Sequence, residues 1–527
     1  MAIESNRQVG VARGKRRKLV RLLLVLSAVV YGLGFLHLRA NFPSGSPWMD
    51  ASKLADEGWY AGAAIHYFVQ GRWYLPGLLN PVVAMPVWPT MLGVWFYVTN
   101  VSMLSARVLT MLLYGVSLVL LYQLMWRARP GRVAAVVVLL TVIDPLCYAF
   151  NRLAILEPVT VLWLLLALWI AGETGRADWL KQVLLGVVIA LLVLTRAAGV
   201  VLVPAVVYML WASWGWTGRG KKGIGNEGIA KKDGGVARDV RWWRGLAATA
   251  VVLGVAGAMW EGYVRLLVWP HHARDYALMA SLHAQHVRLA AMPGVAWQVL
   301  QDGGWIGPVL FWMAVVVVVL SAVWLRELWK RPLFGAAVIA VVGQMAYVCY
   351  RGEMQPRYFA VMAMPVMIVA GLGVGAIVDR RRLARRDKRM RWAERAAVLV
   401  LLAGVGMMAA QTVGYVMHPD YSYWEAAEGI GSIVEADGGA KPMILSDSGD
   451  DMTLWTGVPA VSASMTTDGL DPVLDRYKPG WYAAWPGWQD ATVAQLETRY
   501  RLDAVARYRV FDDPTRQTLV LYKMTPR

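Results

Sequence analysis

The feature that most constrains this chain is a series of apolar blocks, each about 20 residues long, that alternate with polar loops. A helix of about 20 residues crosses a hydrocarbon core about 30 Å thick. Only 17% of the residues are charged, against about a quarter in a soluble domain. The blocks predict a polytopic α-helical membrane protein with about eleven spans, at 19–36, 104–126, 132–150, 155–172, 182–196, 199–214, 245–262, 306–325, 334–350, 358–378 and 396–416.

The charges of the loops predict how the chain is oriented. The net charge is +18, yet the residues from Pro419 onward carry a net of −6, so the rest carries +24. That excess lies before the first span and in alternate loops, at 127–132, 176–181, 219–244, 326–331 and 380–395. Basic loops stay on the cytoplasmic side of a membrane. The pattern predicts a bacterial inner-membrane protein with a cytoplasmic N-terminus and excludes a basic groove for nucleic acid.

This topology divides the chain into three parts. Residues 1–18 form a basic cytoplasmic N-terminus, 19–418 a transmembrane domain with a first periplasmic loop at 37–103, and 419–527 a periplasmic soluble domain. We interpret the apolar stretch 87–100 as a helix lying on the outer surface, because counting it as a span would place two basic clusters outside. Helical patterns (421–436, 491–500) and strand-like runs (442–446, 504–510, 518–523) predict that the soluble domain is a small α/β domain.

The polar residues that could carry chemistry fall in loops predicted to share one side of the membrane. A carboxylate can take a proton from an acceptor hydroxyl, and arginines can hold a phosphate and stabilise its charge as it leaves. Together they suit transfer of a group from a lipid phosphate. The segments are Asp56-Glu57-Gly58-Trp59-Tyr60, then Arg152 to Glu157-Pro158, then Arg351-Gly352-Glu353-Met354-Gln355-Pro356-Arg357-Tyr358.

Structural roles are the alternative for each member taken alone. Glu157 could be an acid favoured at the start of a helix, and Arg357 an arginine that extends to the membrane interface. Asp144 and Arg196 lie within predicted spans and are candidates for structural pairing. The convergence of acids and arginines on one outer face favours a site over these separate explanations.

These motifs resemble those of the GT-C superfamily of polytopic membrane glycosyltransferases, the group of protein O-mannosyltransferases and the lipid A aminoarabinose transferase (families 39 and 83). The family carries an acid pair in the first outer loop, a second acid in an Arg-x-x-x-x-acid-Pro pattern, and an Arg-Tyr entry into a late span. The chain departs from some relatives at Val87-Trp88-Pro89, where they have Lys-Pro-Pro and the lysine meets the lipid phosphate. The matching segments here are Asp56 to Tyr60, Arg152 to Pro158, Pro86 to Pro89 with Ser105-Ala106-Arg107, Arg357-Tyr358 with Pro365, and Trp455 to Pro459.

The resemblance implies an enzyme, a hexosyl or pentosyl transferase that moves a sugar from a polyprenyl-phosphate donor to a periplasmic acceptor with inversion. The acceptor could be a lipid, a glycan or a protein. Asp56 would be the general base, with Glu57 in reserve, and Glu157 would position the acceptor or the base. The donor phosphate would bind Arg357, Arg152 or Arg351, and Trp59, Tyr60 and Tyr358 would line the substrate.

Neither a cofactor nor a metal is expected, although His271, His272, His283 and His286 share one predicted outer loop and leave a divalent metal open. Cys147 and Cys349 lie near the outer ends of spans, where a disulfide is conceivable, but two small buried apolar residues are the simpler interpretation. The rival function is a transporter or flippase of lipid-linked saccharides. It predicts paired broken helices and an internal repeat, and the sequence contains no detectable repeat.

The predicted orientation can be measured with reporter fusions. We expect fusions after Trp126, Arg219 and Arg386 to report a cytoplasmic location, and fusions after Arg72, Gln285 and Arg527 a periplasmic one, because basic loops are retained inside. A phosphatase that is active outside and a fluorescent protein that is active inside give opposite signals at each site. A cytoplasmic C-terminus would mean that the number of spans has the wrong parity.

Overall fold

The computed structural model describes residues 2–48, 56–173, 178–217, 236–283, 286–383, 388–438, 442–487, 489–511 and 517–527. Most of the described chain before residue 418 is α-helical. Its helices are α1 (Ala2–Leu33), α2 (Asp56–Gln70), α3 (Val87–Thr99), α4 (Met103–Ala128), α5 (Arg132–Ile143), α6 (Pro145–Phe150), α7 (Leu156–Glu173), α8 (Trp179–Thr195), α9 (Val203–Thr217), α10 (Val236–Tyr263), α11 (Trp269–His283), α12 (Met292–Asp302), α13 (Pro308–Val323), α14 (Pro332–Arg351), α15 (Pro356–Leu383) and α16 (Lys388–Met417).

Every predicted span overlaps one of these helices. Among the residues that the structure describes, six helical stretches are long and apolar enough to cross a membrane: Met103–Ala128, Leu156–Glu173, Gly245–Leu282, Pro332–Arg351, Pro356–Asp379 and Val398–Ala436. Four shorter apolar helices are Arg132–Ile143, Trp179–Thr195, Ala197–Ser213 and Pro308–Val323. The chain therefore has the helices of a multi-pass membrane protein, while the number of spans stays a prediction.

The span predicted at 132–150 is not one continuous helix. It breaks at Asp144, which is followed by Pro145, and α6 begins there. The Asp144 carboxylate accepts a hydrogen bond from the Cys147 backbone N–H at 2.8 Å, and a side-chain oxygen at this position caps a helix start. Asp144 thus has a structural partner of its own, and it is not Arg196.

Helix α3 corresponds to the stretch predicted to lie on the outer surface. Its 13 residues span about 20 Å, less than the hydrocarbon core. One face is buried around Trp88, which is fully enclosed, and the opposite face exposes Val94, Tyr97 and Val98. A short helix with one buried face and one exposed apolar face fits a position along the interface rather than across it.

The C-terminal segment combines helices and strands. Its helices are α17 (Ser422–Ala436), α18 (Gly449–Thr456), α19 (Leu470–Tyr477) and α20 (Asp490–Glu497), and its strands are β1 (Ile444–Ser446), β2 (Ala460–Ser462), β3 (Trp481–Ala484), β4 (Tyr500–Arg509) and β5 (Thr518–Pro526). They form a five-stranded sheet of order β2-β1-β3-β5-β4. Strand β1 is parallel to β2 and β3, and β5 is antiparallel to β3 and β4.

Two details of this unit differ from the sequence prediction. The helix predicted at 491–500 ends at Glu497, and Tyr500 already belongs to β4. Strands β2 and β3 and helices α18 and α19 were not predicted. These elements have at most eight residues each, which is too short for a periodic pattern to separate strand from helix.

The C-terminal unit is held to the segments that flank α2 by hydrogen bonds. The Asn41 amide donates to the Asp420 carboxylate and to the Val510 carbonyl. The Leu79 N–H donates to the Met465 carbonyl at 3.0 Å. Helix α18 of this unit packs directly against α2, the helix that carries the acid pair.

Three smaller expectations can be compared with the structure. Cys147 and Cys349 are both free, so the disulfide is absent. His272 stacks on Tyr74 and His286 on Tyr350. Within the described ranges no group of three His, Cys, Asp or Glu side chains could hold a metal ion. Much of the basic loop at 219–244 lies outside the described residues.

Candidate active site

The acid pair stands at the first turn of α2. Asp56 and Glu57 are its first two residues, where carboxylates interact favourably with the positive end of the helix dipole. Although adjacent, the two side chains have different surroundings. Asp56 points toward Arg357 of α15, whereas Glu57 is bound by Arg107 of α4. The sequence alone left the choice between them open.

Two further helix starts bring charges to the same place. Glu157 lies in the first turn of α7, and Arg357 follows Pro356 at the start of α15. The Arg357 guanidinium forms an ion pair with Asp56, and its Nε lies 3.8 Å from Glu157 Oε1. Glu157 also accepts a hydrogen bond from Arg196 Nη1 at 2.5 Å. The four side chains form one cluster, here called the charge cluster.

The charge cluster is nearly closed to solvent. The side chains of Glu157, Arg357, Arg196 and Asp56 are 1%, 7%, 12% and 14% exposed. Its two carboxylates balance its two guanidinium groups. A buried charge that loses its partner costs about 3–5 kcal/mol, so each member depends on the others for its place. Of the four, Asp56 is the most exposed, and it lines a cavity beside α2.

Glu57 belongs to a separate, structural arrangement. Arg107 binds both of its carboxylate oxygens, and the Ala154 N–H donates to Glu57 Oε1 at 2.7 Å. Arg107 also donates to the carbonyls of Leu38 and Ala40 at 2.6 and 2.7 Å. With its oxygens occupied and its side chain 5% exposed, Glu57 is held as a tie between α2, α4 and the loop before α7.

The tyrosine and tryptophan candidates take different positions. Tyr358 is buried between two arginines, with the Arg196 Cζ 4.4 Å and the Arg357 Cζ 5.4 Å from its ring. A ring face attracts a cation, so Tyr358 helps to hold both guanidinium groups. Trp59 lines a cavity next to Asp56. Tyr60 is half-buried and packs against the membrane-domain core.

The two reserve arginines have other partners. Arg152 donates to the Tyr148 hydroxyl at 2.9 Å and to the carbonyls of Ala40 and Asn41. Arg351 pairs with Glu353 at 3.0 Å. Arg152 thereby secures the first loop, and Arg351 the loop before α15. Of the three predicted phosphate-binding arginines, Arg357 is the one that contacts Asp56.

The segment Val87-Trp88-Pro89, where some relatives carry Lys-Pro-Pro, makes a different contact. Trp88 is fully buried, and its indole N–H donates to the Ala154 carbonyl at 3.1 Å. The same residue, Ala154, donates its N–H to Glu57. Trp88 therefore supports the loop that holds Glu57 and brings no positive charge to the site.

A second acid pair, not predicted from sequence, completes the surroundings of α2. Asp451 Oδ1 accepts a hydrogen bond from the Gly58 N–H at 2.7 Å, and Asp450 Oδ1 lies 2.6 Å from His66 Nε2. Gly58 is required here, since a Cβ at this position would lie 2.0 Å from the Asp451 backbone nitrogen. A contact between residues almost 400 positions apart leaves no signal in one sequence.

Arg196 was noted in the sequence as a charge inside a span, but not as a site residue. It is the residue that follows α8, where a cation interacts favourably with the helix dipole. Its partner Glu157 could have been anticipated, because buried charges in membranes are generally paired.

Comparisons with known proteins agree with this architecture. Residues 81–223 match the family described as dolichyl-phosphate-mannose-protein mannosyltransferase. The undecaprenyl phosphate-alpha-4-amino-4-deoxy-L-arabinose arabinosyl transferase of Erwinia tasmaniensis is 27% identical over 176 residues, 30% of this chain and 30% of that relative. The sequence match to this curated relative thus spans less than a third of its length.

Two solved structures share the fold over nearly the whole chain. ArnT from Cupriavidus metallidurans bound to undecaprenyl phosphate has a TM-score of 0.57 and 14% identity, covering 95% of this chain and 97% of that one. The oligosaccharyltransferase of Archaeoglobus fulgidus tethered with an acceptor peptide has a TM-score of 0.52 and 13% identity, covering 96% and 74%. The matches confirm the resemblance to the GT-C superfamily of polytopic membrane glycosyltransferases.

The contact between Asp451 and α2 leads to a prediction about pH. Burial and the nearby Glu57 charge raise the pKa of Asp451 well above its usual value. The Asp451 carboxyl therefore binds a proton more tightly in the folded protein than in the unfolded chain. The free energy of unfolding consequently falls as the pH rises through the raised pKa of Asp451. Asparagine is neutral at every pH. We therefore expect the increase in melting temperature caused by Asp451→Asn to be larger at pH 9 than at pH 5, by about 2 °C or more.

Thermal unfolding of the detergent-purified protein, followed by intrinsic tryptophan fluorescence, checks this. The matched control is Asp475→Asn, since Asp475 is an exposed acid of the same unit that pairs with Arg499. An Asp451→Asn effect of equal size at both pH values would contradict the prediction.

Proposed function

We propose that this protein is a membrane glycosyltransferase that moves a sugar from a polyprenyl-phosphate donor to an acceptor on the periplasmic side, with inversion at the anomeric carbon. The observation that carries the proposal is the contact of Asp56 with Arg357 at the edge of the charge cluster. One group can accept a proton and the other can hold a phosphate, and both belong to one site, so the anomeric carbon can lie between acceptor and phosphate once Arg357 has turned from Asp56 to the phosphate.

The reaction assigns each group a step. The acceptor oxygen attacks the anomeric carbon while Asp56 takes the proton from the acceptor hydroxyl. The bond between that carbon and the phosphate oxygen breaks, and the phosphate leaves with the electron pair. Arg357 stabilises the negative charge that grows on the phosphate. Displacement from the opposite face gives inversion, and no metal is needed for any of these steps.

The ion pair between Asp56 and Arg357 connects donor binding to activation of the base. A donor phosphate is an anion and competes with Asp56 for the Arg357 guanidinium. When Arg357 turns to the phosphate, Asp56 loses its cation and becomes a stronger base for the acceptor. The base is thus active when the donor is bound, which protects the donor-free enzyme from unproductive acceptor chemistry.

Glu157 and Arg196 act through Arg357. Their hydrogen bond fixes the Glu157 carboxylate, which lies 3.8 Å from the Arg357 Nε. Arg357 can therefore release Asp56 without becoming an isolated buried charge. Glu157 is in this view a positioning residue, and Tyr358 supports it from the ring face.

The relatives support the class of donor. The family matched by residues 81–223 is named for dolichyl-phosphate-mannose, and one solved neighbour is bound to undecaprenyl phosphate. Both are polyprenyl phosphates, which suit an enzyme whose site lies among apolar helices. We infer a location in the bacterial inner membrane, with the site and the C-terminal unit on the periplasmic side.

The first test concerns the base. We expect Asp56→Asn to lower the transfer rate by about 10²- to 10⁴-fold, because asparagine keeps the shape but cannot accept the proton. Radiolabelled donor and a chromatographic product assay measure this, and undecaprenyl phosphate binding should persist. Glu57→Gln is the matched neighbour, for which we expect less folded protein, because the pair with Arg107 is weakened. Asp56→Asn at the wild-type rate would overturn the assignment.

The second test concerns the phosphate. Arg357→Ala should weaken undecaprenyl phosphate binding and slow transfer, and Arg357→Lys should restore only part of each, since lysine lacks the planar fork. A loss of about tenfold or more is expected for a charged hydrogen bond. Arg351→Ala is the comparison variant, because Arg351 pairs with Glu353 instead of Asp56. A larger loss in Arg351→Ala than in Arg357→Lys would move the phosphate to Arg351.

A further inference from the structure

A cavity opens between α2 and the C-terminal unit, directly beside Asp56. Its floor is formed by α2 with Trp59 and His66, and its far wall by the loop and helix that carry Asp447 and Asp450. The remaining lining residues are Leu78, Leu79, Ser448, Gly449, Asp451, Ser462, Ser464 and Met465. The cavity thus leads from the C-terminal unit to the proposed base.

The polar side chains that line the cavity are mainly acids and hydroxyl groups. Three carboxylates, those of Asp56, Asp447 and Asp450, face the cavity together with the hydroxyls of three serines and the buried carboxyl group of Asp451. Its lining, as far as the described chain provides it, contains neither lysine nor arginine. A phosphorylated ligand would meet like charges here, and such a juxtaposition costs several kcal/mol. Carboxylates and hydroxyls instead accept hydrogen bonds from neutral hydroxyl groups.

Two buried polar atoms in the lining have hydrogen-bonding capacity left over. Asp451 Oδ2 and His66 Nδ1 have no hydrogen-bond partner among the described residues. The Asp451 residue is 3% exposed and the His66 residue 4%. Buried polar groups are nearly always satisfied by protein, water or ligand. A ligand carrying several hydroxyl groups can supply such partners, directly or through ordered water.

The serines support the same type of ligand. Ser462 and Ser464 each direct their hydroxyl hydrogen to the Asp447 carbonyl, at 2.8 and 3.3 Å. The Ser464 oxygen can accept hydrogen bonds from a ligand, and the Ser462 oxygen, which accepts one from the Met465 N–H at 3.2 Å, has one lone pair left for a ligand. Trp59 adds an aromatic surface against which the apolar face of a sugar ring can pack.

We propose that this cavity is the acceptor subsite and that the acceptor is an uncharged, polyhydroxylated group, a sugar residue of a glycan, rather than a phosphorylated one. The proposal rests on the function proposed above and names the class of its acceptor. One acceptor hydroxyl reaches Asp56, whereas the others bind Asp447 and the serines at the wall formed by the C-terminal unit.

The test uses the full-length protein in phospholipid nanodiscs with a polyprenyl-phosphate sugar donor. Its probes are methyl hexosides and disaccharides, each paired with its phosphate monoester. We expect transfer to, and calorimetric binding of, the neutral member of a pair, with at least about tenfold discrimination against the phosphorylated member, the factor given by 1.4 kcal/mol.

Two substitutions at one position locate the discrimination. Asp447→Asn should raise the acceptor KM by about tenfold, as loss of a hydrogen bond to a charged group does, with kcat and undecaprenyl phosphate binding nearly unchanged. Asp447→Lys should reduce the discrimination against phosphate monoesters. Asp475→Lys is the matched control, because it makes the same charge change in the same unit at an exposed residue outside the cavity.

The possible failures are separable. Preference for the phosphorylated probes, or equal use of both, would overturn the acceptor class while sugar transfer itself stood. An Asp475→Lys effect as large as that of Asp447→Lys would show that overall charge, not this cavity, is responsible. If neither any of the probes nor a membrane extract leads to consumption of the donor, the proposed glycosyltransferase function fails, and this inference fails with it.

Discussion

The structure depends on burying four charges at one place. Asp56 and Glu157 occupy the starts of α2 and α7, and Arg196 follows the end of α8, so each of these three lies where the helix dipole favours its charge. Arg357 is the exception, because it is a cation at the start of α15. It is held there by its two carboxylate neighbours. The member of the cluster with the least support from its own helix is therefore the one best suited to exchange a carboxylate for a phosphate.

The C-terminal unit is part of the site and not an appendage. Its α18 approaches α2 so closely that Gly58 leaves no room for a side chain, and Asp451 binds the backbone of the first turn of α2. Two contacts therefore hold the first turn of α2: the ion pair between Arg107 and Glu57, and the hydrogen bond from the Gly58 N–H to Asp451. A base must be held within a fraction of an ångström of its substrate, and this double support fixes the backbone that carries Asp56.

The sequence was informative for charged residues in or beside apolar blocks, because such residues have few structural roles other than pairing with an opposite charge. Charged residues beside apolar blocks need partners, so Asp56, Glu157 and Arg357 could be expected together, and the structure places them in contact or close to it. It could not rank Asp56 against Glu57, because the difference lies in Arg107, a residue 50 positions away. The prediction for Arg152 assigned a charge to the phosphate that the fold uses to bind loop carbonyls.

In the C-terminal unit, too, contacts between distant residues could not be predicted from the sequence. The long runs that became α17, β4 and β5 could be recognised by period, whereas α18, the short helix that reaches the site, could not. Its importance arises from docking, which depends on contacts between distant parts of the chain and not on any local pattern. The sequence therefore predicts the part of the site that lies in the membrane domain, which carries the motifs, but not the part that the C-terminal unit contributes through α18.

The segment Val87-Trp88-Pro89, in place of the Lys-Pro-Pro of some relatives, agrees with these separate roles of frame and site. A lysine in this segment would add a mobile cation to the site, whereas Trp88 is fully buried and donates a hydrogen bond to Ala154, the residue that also holds Glu57. The tryptophan strengthens the frame and leaves phosphate recognition to a cation that is already paired. In the proposed reaction that cation is Arg357, and its partner is the base. Substituting one anion for another at a single guanidinium then makes donor binding and base activation one event, which requires no movement of a helix and no metal.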